Sequence, residues 1–290
     1  MAIHKSAQIH PAALVDPSAE IGENVIIHAQ AIVEADTHVG DGSILMPGSV
    51  ICRHTRIGKN NRIHYGAVIG GDPQFIGFKT ELVTGVEMGD NNEIREHATI
   101  NRSIYEGKNT VVGSNVMMMI NSHAGHDCVL GDNVVVANNT LLAGHCVVGR
   151  RAFVSGNVAV HQFCRIGEFA MVGGAVGVDR DVPPYVLTNS GGGLAFVSGL
   201  NLVGLRRGGI VQSTRTMLKE LLKRLLKTTQ NRQIALELAD EYLATVGEIP
   251  AEARNFVEFF RTPAKRGFIP GRPRRHVLME EQEEEAGSSA

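Results

Sequence analysis

The chain has 290 residues, is 43% hydrophobic and 20% charged, and carries a net charge of −2. A near-neutral total supplies no electrostatic argument for nucleic acid, and no stretch of about 18 apolar residues is available to cross a bilayer as a helix. The opening MAIHKSAQIHP lacks the apolar run of a secretory signal, so a cytoplasmic location without integral membrane association is expected.

The first feature along the chain is a register. From Ile9 an aliphatic side chain returns at every sixth residue, through Val15, Ile21, Ile27, Val33, Val39, Leu45, Ile51, Ile57, Ile63 and Ile69. A helix would show spacings of three and four. A fixed period of six predicts a parallel β-helix. Counting the aliphatic as the first position, the fourth is rich in Asn, Asp and Gly, as at Asn24, Asp36, Gly42, Gly48 and Asn60. These residues tolerate the left-handed conformation that a tight corner needs. The fifth position is small, as at Ala13, Ala19, Ala31 and Ser43. Each hexapeptide is thus one short strand and one corner. Three of them close a triangular coil of 18 residues, and stacked coils pair as parallel strands about 4.8 Å apart. Sparse aromatics and the absence of Trp suit so narrow a core.

The register breaks at residues 70–87 and 101–111, on either side of a segment that carries Met88, Ile94 and Ile100. Both breaks are expected to be surface loops, where binding residues collect. From Val112 to Val178 the register holds again, and the 18-residue coil predicts which distant residues touch. His126, Gly144 and Gln162 should form one column. Gly125, Ala143 and His161 precede it, and Asp127, His145 and Phe163 follow it. His126, His145 and His161 thereby gather on one corner beside Asp127. A histidine can take a proton from a hydroxyl near neutral pH. Asp127 can hold its tautomer, and the N–H of Gly144, stacked beside His126, can stabilise an oxyanion. Cys128, Cys146 and Cys164 are also 18 apart and read as a ladder of buried thiols. No CxxC pair suggests a zinc or redox motif. The chemistry expected is acyl transfer assisted by a base, with no metal and no cofactor.

The repeat is expected to end near Asp181, because the prolines of Val182-Pro183-Pro184-Tyr185 lack ladder donors. Residues 1–186 then form the β-helix domain. Residues 187–270 form an α-helical domain that covers the open end of the stack. Within it Leu218, Leu221, Leu222, Leu225 and Leu226 show helical spacing, and further helices are predicted over 231–246 and 250–261. Residues 201–276 hold fifteen Lys/Arg against seven Asp/Glu, a balance suited to an acidic partner. Residues 271–290 are expected to be a disordered acidic tail.

The runs Asn121-Ser-His-Ala-Gly-His-Asp-Cys128, Leu142-Ala-Gly-His145 and Val160-His-Gln-Phe-Cys164, with the Val-Pro-Pro-Tyr exit, resemble one family. It is the acyl-carrier-protein-dependent UDP-N-acetylglucosamine O-acyltransferases, hexapeptide-repeat transferases that perform the first dedicated step of lipid A biosynthesis. The resemblance extends from residue 3 to about residue 265. It implies a left-handed parallel β-helix with a C-terminal α-helical domain, and a homotrimer with active sites between subunits. It also implies acyl carrier protein as the 3-hydroxyacyl donor and a UDP-sugar as the acceptor. By the same resemblance His126 is the general base for the sugar 3-hydroxyl, Asp127 orients it, and the Gly144 N–H binds the oxyanion. His123, His145, His161 and Gln162 would line the substrate site. Gly174 would be the floor of the acyl groove, open to a long chain. Asn201 and Arg207 would lie near the nucleotide and the carrier's phosphopantetheine.

The chain departs from the family in places. The first loop usually reads Gln-Asp-Leu-Lys-Tyr, with the Asp and Lys on the sugar. Here it reads Gln74-Phe-Ile-Gly-Phe78, so Phe75 and Gly77 occupy those places. Val203 stands for a Glu, and Gly208 for the second Arg of a pair. Asp72, Gln74 and Lys79 become the acceptor-loop candidates. One alternative is the same transfer to a different acceptor, such as a 3-amino sugar nucleotide. Others are a non-catalytic acyl-carrier-binding paralogue and a γ-type carbonic anhydrase with zinc held between subunits.

Overall fold

A computed structural model describes residues 2–229 and 231–271. The periodic aliphatics become two-residue strands in which one side chain points out and the next points in. The inward ones, such as Ile27, Leu45, Ile63, Ile94, Met118, Val136, Val154 and Val172, are buried. Each strand pairs in parallel with the one a coil further on: Ile27 with Leu45, and Leu142 with Val160. The result is a parallel β-helix. One face is a nine-stranded sheet running from Ala2–Ile3 to Arg165–Ile166. Corner residues Asn24, Asp36, Asn60, Asn91, Asn115, Asn133, Asn139 and Asn157 all have positive φ.

Two boundaries differ from the sequence reading. The strands Val68–Gly71 and Gly85–Met88, then Thr99–Asn101 and Asn109–Val112, run into the expected loops. The excursions are therefore 72–84 and 102–108, not 70–87 and 101–111. The reason is mutual pairing: Gly85 and Val86 lie against Asn109 and Thr110, so the roots of the two insertions extend the ladder together.

The second difference is at the C-terminal end. Val182 still bridges Ile166, and beyond the two prolines the Tyr185 N–H donates to the Glu168 carbonyl, so the ladder continues past residue 181. Residues 187–200, assigned above to the helical domain, form instead an antiparallel hairpin of Val186–Gly191 and Leu194–Leu200. Its two strands continue the stacks of Met171–Val172 and Gly177–Val178, which joins the other two faces into one network. Gly192 and Gly193, both at positive φ, make the turn, and Thr188, Ala195 and Val197 are its buried alternate residues. A glycine-rich run that reads as a linker is the turn of a strand pair.

The helices follow: α1 (Leu202–Arg207), α2 (Gln212–Lys223), which passes into a π-helical segment Arg224–Thr228, α3 (Arg232–Ala244) and α4 (Ala251–Arg261). Leu218, Leu221, Leu222 and Leu225 are buried as their spacing requires. Docking onto the β-helix runs through Tyr185, fully buried, whose ring meets Phe256 edge-on at 5.8 Å. Its hydroxyl donates to Glu168, and Asn255 donates to both. The chain then returns along the β-helix, with Phe268 bridging Asp181 and Gly271 bridging Val197. Gly271, the first residue of the expected tail, is thus paired, and residues 272–290 lie outside the described residues. No described helix is long and apolar enough to cross a membrane.

Candidate active site

The ladder sets the columns. The His145 N–H donates to the His126 carbonyl at 2.9 Å, and the Phe163 N–H to the Gly144 carbonyl at 3.1 Å. Residues 126–127, 144–145 and 162–163 therefore stack on one corner. Asp127, His145 and Phe163 sit there at φ of 60°, 60° and 70°. For non-glycine residues that conformation costs about 1–3 kcal/mol each, and the rungs on either side impose it.

Asp127 is the hub. Its Oδ2 accepts from His126 Nδ1 at 2.8 Å, and its Oδ1 accepts from the Ser103 hydroxyl at 2.5 Å. The Ile104 N–H donates to Oδ2 at 3.4 Å, and His145 Nε2 lies 3.9 Å from the same oxygen. With Nδ1 committed to the carboxylate, the His126 lone pair resides on Nε2. A Cβ on Gly144 would lie 2.5 Å from that Nε2. Glycine is needed at 144 for space, not for backbone freedom. Among the described residues no acceptor takes the Gly144 N–H. A basic nitrogen and an unspent donor thus occupy adjacent rungs.

Rings enclose this corner. His145 meets His126 edge-on at 5.0 Å and stacks on Phe163 at 4.6 Å, while Tyr105 flanks it at 5.8 Å. Lys265 brings its Nζ to 3.4 Å from the Phe163 ring centre. Burial holds His145 below the usual histidine range; nearby Asp127 opposes this, while His126 and Lys265 add to it. Burial, with His126 beside it, also lowers His123, which shares a 2.8 Å hydrogen bond with Thr99. The ligand atoms of His126, Asp127 and His145 lie within 4.8 Å of one another, close enough to hold a cation, though no metal was expected from the sequence. Asp127 already serves Ser103 and His126, an arrangement that suits proton transfer.

The loop 72–84 hangs on a residue that sequence reasoning missed. Arg102 is fully buried and donates to Asp72 Oδ1 at 2.9 Å and to the carbonyls of Thr80 and Leu82 at 2.9 and 2.8 Å. Phe78 lies over its guanidinium at 4.9 Å. Asp72 is therefore a loop anchor within the protein. Phe75 reaches the corner, its ring 6.0 Å from that of His126. Gln74 and Lys79 are exposed on the same loop. Ser103, Tyr105 and Lys265 were missed as well. The first two lie out of the hexapeptide register, and Lys265 lies 102 residues from its contact Phe163.

The remaining expected residues separate into two groups. His161 and Gln162 lie on the histidine corner, with His161 Nδ1 3.0 Å from the Gln162 carbonyl. Gly174 belongs to a different corner, stacked on Gly156 one residue before the column of Asn121, Asn139, Asn157 and Ala175. Asn201 caps α1: its Oδ1 accepts from the Gly204 N–H, and its Nδ2 donates to the Phe169 carbonyl. Arg207 is exposed in the last turn of α1. Phe169 fills the space that a Cβ at Gly208 would need, which accounts for glycine there. Among the described residues, no hydrogen bond, ion pair or ring contact joins Gly174, Asn201 or Arg207 to the histidine corner.

A hexapeptide β-helix with a carboxylate-held histidine on one corner and helices on its end defines a hexapeptide-repeat transferase. Comparison with known proteins agrees. Residues 36–71 and 109–144 match the bacterial transferase hexapeptide model, and residues 181–269 match domain 2 of UDP N-acetylglucosamine O-acyltransferase. The chain is 52% identical over 263 residues to the acyl-[acyl-carrier-protein]–UDP-N-acetylglucosamine O-acyltransferase of Chlamydia trachomatis serovar L2, covering 91% of each chain. It is 39% identical to that of Chlamydia caviae, covering 97% of this chain and 98% of the relative. Among solved structures, the UDP-N-acetylglucosamine acyltransferase of Bacteroides fragilis superposes with a TM-score of 0.84 at 36% identity, over 90% of this chain and all of that one. The chain belongs to the acyl-[acyl-carrier-protein]–UDP-N-acetylglucosamine O-acyltransferase family and is an acyltransferase.

Proposed function

We propose that this enzyme transfers a 3-hydroxyacyl chain from acyl carrier protein to the 3-hydroxyl of UDP-N-acetylglucosamine, in the cytoplasm, as the first step of lipid A biosynthesis. His126 Nε2 takes the proton of the acceptor hydroxyl. The oxygen attacks the thioester carbonyl, and the oxyanion is held by the Gly144 N–H. The C–S bond then breaks, and the thiolate leaves with the proton returned by His126. Asp127 keeps the imidazole in the tautomer this requires and stabilises the imidazolium in between. The observation that carries the reading is the Asp127 Oδ2–His126 Nδ1 bond at 2.8 Å, which leaves Nε2 free against Gly144.

The enzyme works as a homotrimer in this reading. Two prism faces carry stripes of apolar outward side chains, Ile26, Ile44, Val135 and Phe153 on one with Arg62 and Glu93 between them, and Leu14, Ile32, Val50 and Leu141 on the other with Thr99 and His123 between them. The third face bears Glu20, His38, Arg56 and Glu87 in its first half and Val111, Val129 and Val147 further along. Exposed apolar stripes of this kind favour cover by other copies. Gly174, Asn201 and Arg207 of a neighbouring subunit then complete the site, and His123, His145, His161 and Gln162 line it. The β-helix supplies the chemistry, and the basic helical region receives the acidic carrier protein.

Phe75 favours a second reading, the same transfer to a different acceptor, because an aromatic edge beside His126 offers a sugar hydroxyl no polar partner. Both readings are tested by offering purified protein a panel of UDP-sugars with 3-hydroxyacyl carrier proteins and weighing the products. An acylated 3-amino sugar nucleotide in place of UDP-N-acetylglucosamine would decide for the second. No transfer from any donor would overturn both.

A further inference from the structure

We infer that Ser103 is a positioning residue for the reaction: its hydroxyl locks the plane of the Asp127 carboxylate and, through it, the His126 imidazole. The inference rests on His126 acting as the base. Ser103 is fully buried. Its Oγ accepts the Tyr105 N–H at 3.0 Å, which occupies a lone pair and leaves the hydroxyl proton for Asp127 Oδ1, 2.5 Å away. Asp127 is therefore gripped by its two oxygens from two sides, Ser103 on Oδ1 and His126 on Oδ2. A carboxylate bonded through one oxygen can still swing about its Cβ–Cγ bond. A second donor on the other oxygen removes that freedom, and in a site this buried each such bond counts for more than it would in water.

The placement adds a consequence. Ser103 follows Arg102, the residue that pins the loop 72–84 through Asp72, Thr80 and Leu82. One dipeptide thus positions both the base and the loop that carries Phe75 to it. The competing reading is that Ser103 only shapes the turn at 103–105 through its bond to Tyr105. A purely structural serine would act on stability and on every step alike, whatever the state of Asp127.

The test compares Ser103→Thr with Ser103→Val, which share a shape and differ in the hydroxyl, together with Ser103→Ala, Asp127→Ala and the Ser103→Ala/Asp127→Ala double variant. Melting temperatures are recorded for each. Expected are a loss in kcat of roughly 10-fold for Val and Ala, with both KM values within about two-fold, and recovery to near wild type in Thr. In the Asp127→Ala background, Ser103→Ala should cost nothing more. An equal loss for Thr and Val, or a loss of the same factor with and without Asp127, overturns the role of Ser103 and leaves His126 as base untouched. A wild-type kcat in Asp127→Ala would instead overturn the reading of the pair itself, and the inference with it.

Discussion

Replacing Gly144 with alanine tests the corner with the smallest possible change. The added Cβ would lie 2.5 Å from His126 Nε2 and Cε1, whereas ordinary contact begins near 3.4 Å. Something must move by about 0.9 Å. Residue 144 is held by the rung from the Phe163 N–H, and its neighbour His145 by the rung to His126. The imidazole is the freer partner, so it swings away from its working position. A misplacement of about 1 Å can cost on the order of 10²-fold in rate, or about 2.7 kcal/mol of barrier. Gly144 is not in the left-handed region, so alanine strains nothing in the backbone and narrows the unfolded ensemble, a gain of about 0.4–1 kcal/mol. The expected outcome is an enzyme with a nearly unchanged melting temperature and a kcat lower by about 10²-fold. Steady-state kinetics with saturating carrier-bound donor, beside calorimetry, measures both. Retention of kcat within about three-fold at full stability would refute the reasoning: the ring could then move 0.9 Å without consequence, and the base would lie elsewhere.

His126→Ala should lower kcat by at least roughly 10²-fold while the far-ultraviolet circular dichroism stays that of the wild type; survival of activity within a few-fold would remove His126 as base. Arg102→Met should cost about 2–3 kcal/mol in urea unfolding, since charged hydrogen bonds to Asp72 and two carbonyls are lost, and should raise the acceptor KM more than the donor KM. Gly174→Met should shift preference toward shorter acyl chains by filling the groove floor, and an unchanged chain-length profile would place the ruler elsewhere. Stability should fall on acidification. Burial depresses His64, His123 and His145 from their usual value of 6.5, so the unfolded chain binds more protons and stabilisation present above about pH 6.5 is lost as the pH drops. Denaturation midpoints at pH 7.5 and 5.5 should show this, with a smaller difference in His64→Gln.

How far the sequence foretold the site depends on which structural rule governs each residue. His126, Asp127, Gly144 and His145 obey the coil, so counting eighteens was enough to bring them together. Asn24, Asn60 and Asn157 marked their corners because a positive φ selects asparagine. The hairpin at 186–200 was missed because its turn glycines read as a linker and its strands pair antiparallel, outside the period. Arg102 and Ser103 were missed for a related reason: once the chain leaves the register at residue 102, no arithmetic says where a side chain returns. Asp72 was recognised as a loop residue of consequence, but its partner Arg102 was not: one carboxylate oxygen anchors the loop within the protein, while the side chain stays half exposed.

The same contrast bears on the acceptor. The resemblance leads one to expect a carboxylate and an ammonium on the loop 72–84, turned toward the sugar. In this chain the loop has Phe75 at the base and keeps its charge pair, Asp72 with Arg102, for its own anchorage. In the proposed reaction a hydroxyl delivered to His126 meets one strong polar partner, the imidazole, and beside it the half-exposed ring of Phe75, which offers none. A loop without a polar partner there weakens recognition of the sugar's hydroxyls, each about 1–3 kcal/mol when left unpaired in a buried site. In the proposed reaction, acceptor recognition has then to come from Gln74 and Lys79, both exposed on the same loop, and from groups of a neighbouring subunit.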